Sequence, residues 1–111
     1  MGVVKDTMTK YEYLNSGLKK FAGQDYQAAI EDLNKAIELD STFDLAYNAL
    51  AECYNKLGDL EKAIEIARKY VQISPNDPVA HTALSRLYVQ KGMIAEAEEE
   101  MAISNQLASS E

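Results

Sequence analysis

Two side chains in this 111-residue sequence invite a chemical reading first: its one histidine, His81, and its one cysteine, Cys53. A general base must sit against the group it deprotonates, and a thiol nucleophile needs an activating base. Neither residue lies in a Cys/His cluster with metal-ligand spacing, and no glycine-rich phosphate loop is present. The run EAEEE at 96–100 would attract a cation, but charges on a helical pattern are first of all a solvated face. Cys53 falls among apolar residues and reads as a small buried hydrophobe; His81 reads as a packing residue. The chain is therefore expected to be no enzyme and to use no metal or cofactor. The chemistry left is recognition: Asn48 and Asn55 offer paired donors and acceptors to a peptide backbone, and Arg86 offers a planar fork of donors.

The composition limits who could be recognised. The formal net charge is −7, which disfavours nucleic acid and anionic membrane as partners, since both demand basic surface. With 47% hydrophobic and 26% charged residues the chain has enough apolar material for one ordered domain. A single cysteine allows no internal disulfide and gives no sign of an oxidising compartment. No apolar run approaches the ~20 residues that cross a bilayer. The opening MGVVKDTMTK lacks the apolar core of a signal peptide, and Asp6 stands where a myristoylation motif wants Ser or Thr. A soluble, cytoplasmic protein without membrane insertion is expected.

The elements that must position these residues come from a period. Displaced by 34 residues, the sequence meets itself without a gap: Ala29, Ala63 and Ala97 align, as do the small residues Gly17, Ala51 and Ser85. Tyr13, Tyr47 and His81 form another column, Tyr26, Leu60 and Ile94 another, and Ser41, Pro75 and Ser109 a third. After a leader at 1–9, a single domain at 10–111 divides into units 10–43, 44–77 and 78–111.

Each unit carries two runs of three-and-four spacing. In the second, Leu45, Ala46, Ala49, Leu50, Cys53, Tyr54 and Leu57 form an inward pattern, which resumes after GD with Leu60, Ala63, Ile64, Ala67, Val71 and Ile73. A helix-interior glycine costs roughly 1 kcal/mol relative to Ala, so Gly58 is expected outside a helix, in a left-handed cap, with Asp59 starting the next helix. SPNDP at 74–78 stops one helix and starts another, and TKYE at 9–12 has capping-box spacing. The pattern predicts helices near 9–22, 26–39, 44–57, 60–73, 78–91 and 94–107 and no sheet.

A 34-residue helix–turn–helix unit with a large residue, then Leu-small, Tyr, Gly, a central Ala and a terminal Pro resembles the tetratricopeptide repeat. The second unit carries it best, at Tyr47, Leu50, Ala51, Tyr54, Gly58, Ala63 and Pro75; the third follows at Leu84, Ser85, Tyr88, Gly92 and Ala97. The first departs from it with Ser16 for Leu, Lys20 for Tyr, and Gly23 one place early. The second departs where Ala67 and Tyr70 reverse the large-then-small order of Leu33 and Ala36, so Tyr70 must enter the seam with the third unit or swing out. The resemblance implies an all-α, right-handed superhelical solenoid of three antiparallel helix pairs.

It also implies an adaptor that binds a peptide or helix of another protein in the groove lined by the first helix of each pair. Helical phase puts Tyr11, Leu14, Leu18 and Phe21 in that groove, then Asn48, Glu52, Asn55 and Lys56, then Thr82, Arg86, Val89 and Gln90. Members of the family that capture acidic chaperone tails use a Lys/Asn/Arg carboxylate clamp. The matching places here hold Leu14, Leu18, Ala49, Val79 and Ala83, so that ligand is not expected.

The C-terminal helix sends a mixed signal. The columns Ile30/Ile64, Ala36/Tyr70 and Ile37/Val71 become Glu98, Ser104 and Asn105, as a solvated end requires. Yet Ile103 replaces Lys35 and Lys69, with Met101 and Leu107 on the same helix. The alternative reading is a self-associating scaffold, a weak homodimer built on Met101, Ile103 and Leu107.

Overall fold

Thr9 starts the first helix. Its hydroxyl accepts from the Glu12 amide while the Glu12 carboxylate accepts from the Thr9 amide, satisfying two of the donors that a helix start leaves bare. The computed structural model describes residues 7–110; residues 1–6, most of the expected leader, and residue 111, the end of the expected third unit, lie outside the described residues. Six helices follow: α1 (Lys10–Ala22), α2 (Tyr26–Leu39), α3 (Asp44–Lys56), α4 (Leu60–Ile73), α5 (Pro78–Lys91) and α6 (Ile94–Ser109). No strand occurs among the described residues. Asp25, Asp59 and Asp77 cap α2, α4 and α5, each accepting from a first-turn amide; such caps are worth ~1 kcal/mol each.

Gly58 and Gly92 take φ of +84° and +83°, the left-handed cap conformation. In the first unit Gln24, not Gly23, takes this role, at φ +65°, while Gly23 stays at −82°. Positions 24, 58 and 92 thus make one turn, and the early glycine does not shift the register.

Each pair packs internally, and each second helix also packs on the next pair's first helix. The first helices touch one another, α1 with α3 and α3 with α5, whereas α2 and α4, and α4 and α6, do not meet. The stack therefore bends toward its first helices, which line the inner side. Its extents, 58 × 31 × 19 Å, are those of a molecule whose units contact only their neighbours.

Ala29 and Ala63 are fully buried and Ala97 nearly so. A Cβ on Gly17 would stand 3.0 Å from the side chain of Leu33, itself fully buried; burying such a side chain stabilises by ~1.5–3 kcal/mol. The second unit holds Ala51 and Ala67 in these two columns and Tyr70 where the first has Ala36. Tyr70 enters the seam: it is 2% exposed, and its hydroxyl donates to Asp77 at 3.0 Å. Burial, then that hydrogen bond, pushes its phenol well above the ordinary range.

The first unit's two departures form one device. Ser16 Oγ and Lys20 Nζ both donate to Asp32 Oδ2, at 2.5 and 2.8 Å. In the second unit those three columns hold Leu50, Tyr54 and Ile66, an apolar seam. Two members of the expected inward pattern point elsewhere. Leu45 is 53% exposed, because it stands beside Ala46 and so about a quarter turn from the core line, and Leu57 is 41% exposed beyond the last turn of α3.

Candidate functional site

The inner face is built from four columns of first-helix side chains, each repeating at 34 residues. Tyr11, Leu45 and Val79 form the first, and all three are more than half exposed. Leu14, Asn48 and Thr82 form the second, Leu18, Glu52 and Arg86 the third, and Phe21, Asn55 and Val89 the fourth. Apolar side chains fill these columns in the first unit and polar ones dominate the middle of the second and third, so the face grades from apolar to polar along the stack.

At its apolar end α1 and α3 enclose a pocket of about 350 Å³. Leu14, Leu18 and Phe21 form one wall; Leu45, Asn48, Ala49 and Glu52 form the other. Five of the twelve groove residues expected from phase therefore meet in one cavity. Leu45 and Ala49 were missed. Their signal was present: both share a three-and-four stripe with Asn48 and Glu52, but an apolar residue on a helix was counted as core. Leu14 is buried at the pocket floor and Leu18 is exposed at its lip. The Asn48 and Asn55 amides make no hydrogen bond within the described residues and are not closed off from solvent.

The other expected groove residues lie outside the pocket. Tyr11 stacks edge-on against Phe43 at 5.4 Å, with the Lys10 ammonium 4.9 Å from the Phe43 ring centre. Arg86 reaches back to Glu52 in a 3.9 Å ion pair between α5 and α3; both groups are solvated, and such pairs contribute little. Lys56, Val89 and Gln90 are exposed. Thr82 keeps its place in the second column, with its hydroxyl 2.7 Å from Ser104 Oγ on α6. Ser104 departs from the expected solvated end. It is not solvated at the end of the stack but buried, donating to the Pro78 carbonyl at 2.9 Å, because a carbonyl oxygen in the first turn of α5 has a second lone pair free for a hydroxyl. Of the C-terminal residues, Met101 is half-buried, Ile103 is 38% exposed and Leu107 is half-buried. Met101 and Ile103 are two apart on one helix and do not share a face.

The two chemically suggestive residues are both engaged. Cys53 is fully buried, and burial pushes its thiol up to about 11, leaving it no thiolate at neutral pH. His81 is 4% exposed, with Nε2 2.7 Å from the Pro75 carbonyl and Nδ1 2.7 Å from Glu100 Oε1. A carbonyl oxygen can only accept, so Nε2 donates to Pro75, and Nδ1 is left against the Glu100 carboxylate. Among the described residues no His/Cys/Asp/Glu group is arranged to hold a metal ion, and no helix is long and apolar enough to cross a membrane.

Sequence profiles of the family described as Tetratricopeptide repeat match residues 14–78 and 57–106. The chain belongs to the tetratricopeptide-repeat family. A repeat-containing protein of Methanocaldococcus jannaschii is 27% identical over 122 residues, covering 80% of this chain and 22% of that protein. The chain thus spans about a fifth of that relative's length. Among solved structures, MamA superposes with a TM-score of 0.88 at 30% identity, over 95% of this chain and 61% of MamA. The second tetratricopeptide domain of Spaghetti, bound to the HSP90 peptide SRMEEVD, superposes with a TM-score of 0.82, over 90% of this chain and 93% of that one; at 19% identity it shares the fold alone.

Proposed function

We propose that this chain is a non-catalytic interaction module that takes a peptide or helix of a partner protein on its inner face and anchors one bulky apolar side chain between α1 and α3. The 350 Å³ pocket carries the reading. Pockets that bind organic groups are concave and mainly apolar, with a few polar groups to fix orientation. Here Leu14, Leu18, Phe21 and Leu45 supply the apolar surface, and Asn48 and Glu52 stand beside it. Asn48 and Asn55 suit a bound backbone, since each amide both donates and accepts.

The Spaghetti domain takes an acidic peptide on the same fold. This chain has Leu14, Leu18 and Ala49 at the places of a carboxylate clamp and a net charge of −7, so a neutral or basic ligand with an aliphatic or aromatic anchor is the better match. Peptides selected from a random phage library on the immobilised chain test the reading. They are expected to share one large apolar residue and to lose about tenfold or more in affinity for Leu18→Glu, a solvent-side change that leaves the melting temperature in place. Replacing Asn48, Asn55 and Arg86 together by Ala is expected to weaken them further. Selected peptides that bind Leu18→Glu as well as the parent chain would move the site off this face.

A further inference from the structure

Of the residues that line the inner pocket, Glu52 alone is ionisable. It stands in the third column of the inner face, between Leu18 on the pocket side and Arg86 on the α5 side. Arg86 Nη2 lies 3.9 Å from Glu52 Oε1, too far for a hydrogen bond, and the Arg86 side chain is 65% exposed. Among the described residues the Glu52 carboxylate has no other ion-pair partner and accepts no hydrogen bond. Lys56, one turn further along α3, is exposed and makes no ion pair with it. This half-buried carboxylate therefore rests on solvation, not on a partner within the chain.

An anchor that fills the pocket changes that balance. Seating an apolar side chain among Leu14, Leu18, Phe21 and Leu45 excludes water from the wall that Glu52 shares. A carboxylate stripped of water is heavily penalised unless a cation takes the water's place. Arg86 meets Glu52 from the α5 side and leaves the pocket side of the carboxylate to the ligand. We infer that the inner groove selects a peptide or helix that carries Lys or Arg beside its apolar anchor, with that cation paired to Glu52. The inference rests on the groove reading above and adds what that reading leaves open: the ligand is basic, and Glu52 is the residue that decides it. A net charge of −7 favours the approach of such a ligand. An acidic residue beside the anchor would instead meet a like charge, and a wholly neutral one would leave Glu52 dry and without a counter-ion.

Two selections from one random peptide phage library, on the parent chain and on Glu52→Gln, test this. Glu52→Gln keeps the shape of the side chain and removes its charge; thermal melts check that the variant folds as the parent does. Parent-selected peptides are expected to carry Lys or Arg at a fixed spacing from the apolar anchor. Peptides selected on Glu52→Gln are expected to keep the anchor and lose the basic residue. Replacing that residue by norleucine, which keeps an aliphatic stem, should weaken binding to the parent about tenfold or more at low salt and change binding to Glu52→Gln little. The discrimination should shrink as salt rises. Two results overturn the inference and leave the groove reading standing: Leu18-dependent peptides with no basic residue at a fixed spacing, or norleucine forms that lose as much against Glu52→Gln as against the parent. Peptides indifferent to Leu18→Glu, or a library that yields no binder, overturn both.

Discussion

His81 Nε2 lies 2.7 Å from the carbonyl oxygen of Pro75, and this is the contact that the Tyr47 hydroxyl makes with Ser41 at 2.9 Å one unit earlier. Both donors come from one column and both acceptors from another, so an imidazole has replaced a phenol without changing what the site holds. The carbonyl it satisfies belongs to the joint between units. The second ring nitrogen then faces Glu100, whose column holds Asp32 and Ile66 in the other units.

His81→Phe removes the donor to that carbonyl and the partner of Glu100 and is expected to cost about 1–3 kcal/mol. His81→Tyr returns the column to its usual side chain, with a hydroxyl for Pro75, and should cost less. Urea melts of the three proteins check the order; equal losses would mean that the Pro75 contact contributes nothing.

At the first turn the sequence GQ stands one place out of step with its conformation. Gly23 has a negative φ, and a Cβ there would meet nothing closer than 3.6 Å, so Gly23→Ala should stabilise by about 0.4–1 kcal/mol through the unfolded chain. Gln24 occupies the left-handed region, where a side chain costs ~1–2 kcal/mol, partly offset by the freedom a glycine loses on folding. Gln24→Gly should therefore also raise stability, while Gly58→Ala and Gly92→Ala should lower it by ~1 kcal/mol despite the open space around them. Denaturation midpoints of the four variants check the signs.

Gly17→Ala is expected to be costly, about 1–3 kcal/mol, although Ala51 and Ser85 occupy the same column. The added methyl would press on Leu33, which is fully buried and has nowhere to move. Leu33→Ala alone should cost ~2–5 kcal/mol by leaving a cavity. Together they import the second unit's Ala51/Ala67 pairing, so the double variant should be more stable than the sum of the single losses implies, by at least ~0.5 kcal/mol. A double-mutant cycle measures this directly; strict additivity would contradict the exchange of volume between the two columns.

Acid should loosen the first unit. Burial alone would raise the Asp32 carboxyl, but hydrogen bonds from Lys20 and Ser16 outweigh it and hold it below the usual range. The Lys10 ammonium, then the Thr42 amide and hydroxyl, bring Asp40 down to about 2. Both carboxyls are depressed by folding, so the stability they lend is complete above the unfolded value of ~3.9. It is lost as pH falls through the folded values, for Asp40 about 2. Stability measured from pH 6 downward should fall below about pH 4, and the fall should be shallower in Asp32→Asn/Asp40→Asn. An unchanged acid slope in that variant would assign it to other carboxyls.

Much of this was written in the order of the residues. Thr9 with Glu12, Asp59 after Gly58, and Asp77 before Pro78 each act within a few residues, and helix ends read from them agree with the structure to within two positions at α1, α3 and α6. The 34-residue register carried the rest of the architecture, since columns such as Ala29/Ala63/Ala97 and Gly17/Ala51/Ser85 are buried in all three units. The groove was legible as a face but not as a cavity. Helical phase could place Leu14 on one side of α1, and Asn48 with Leu45 and Ala49 on one side of α3, but not the separation of the two helices that opens a pocket between them.

What the sequence alone determined, then, is whatever rests on neighbours along one helix or on repetition: six helices, their caps, their pairing and the family. Only the tertiary structure decided which side chains meet across helices. Ser16 and Lys20 converge on Asp32, Thr82 turns its hydroxyl to Ser104, and Leu14, Leu18 and Phe21 meet Leu45, Asn48, Ala49 and Glu52 across a pocket. The reason is physical. A cap is fixed by backbone geometry within one turn, whereas a contact between residues 12 to 22 positions apart depends on the crossing and rotation of two helices, and these are set by the packing of every side chain between them.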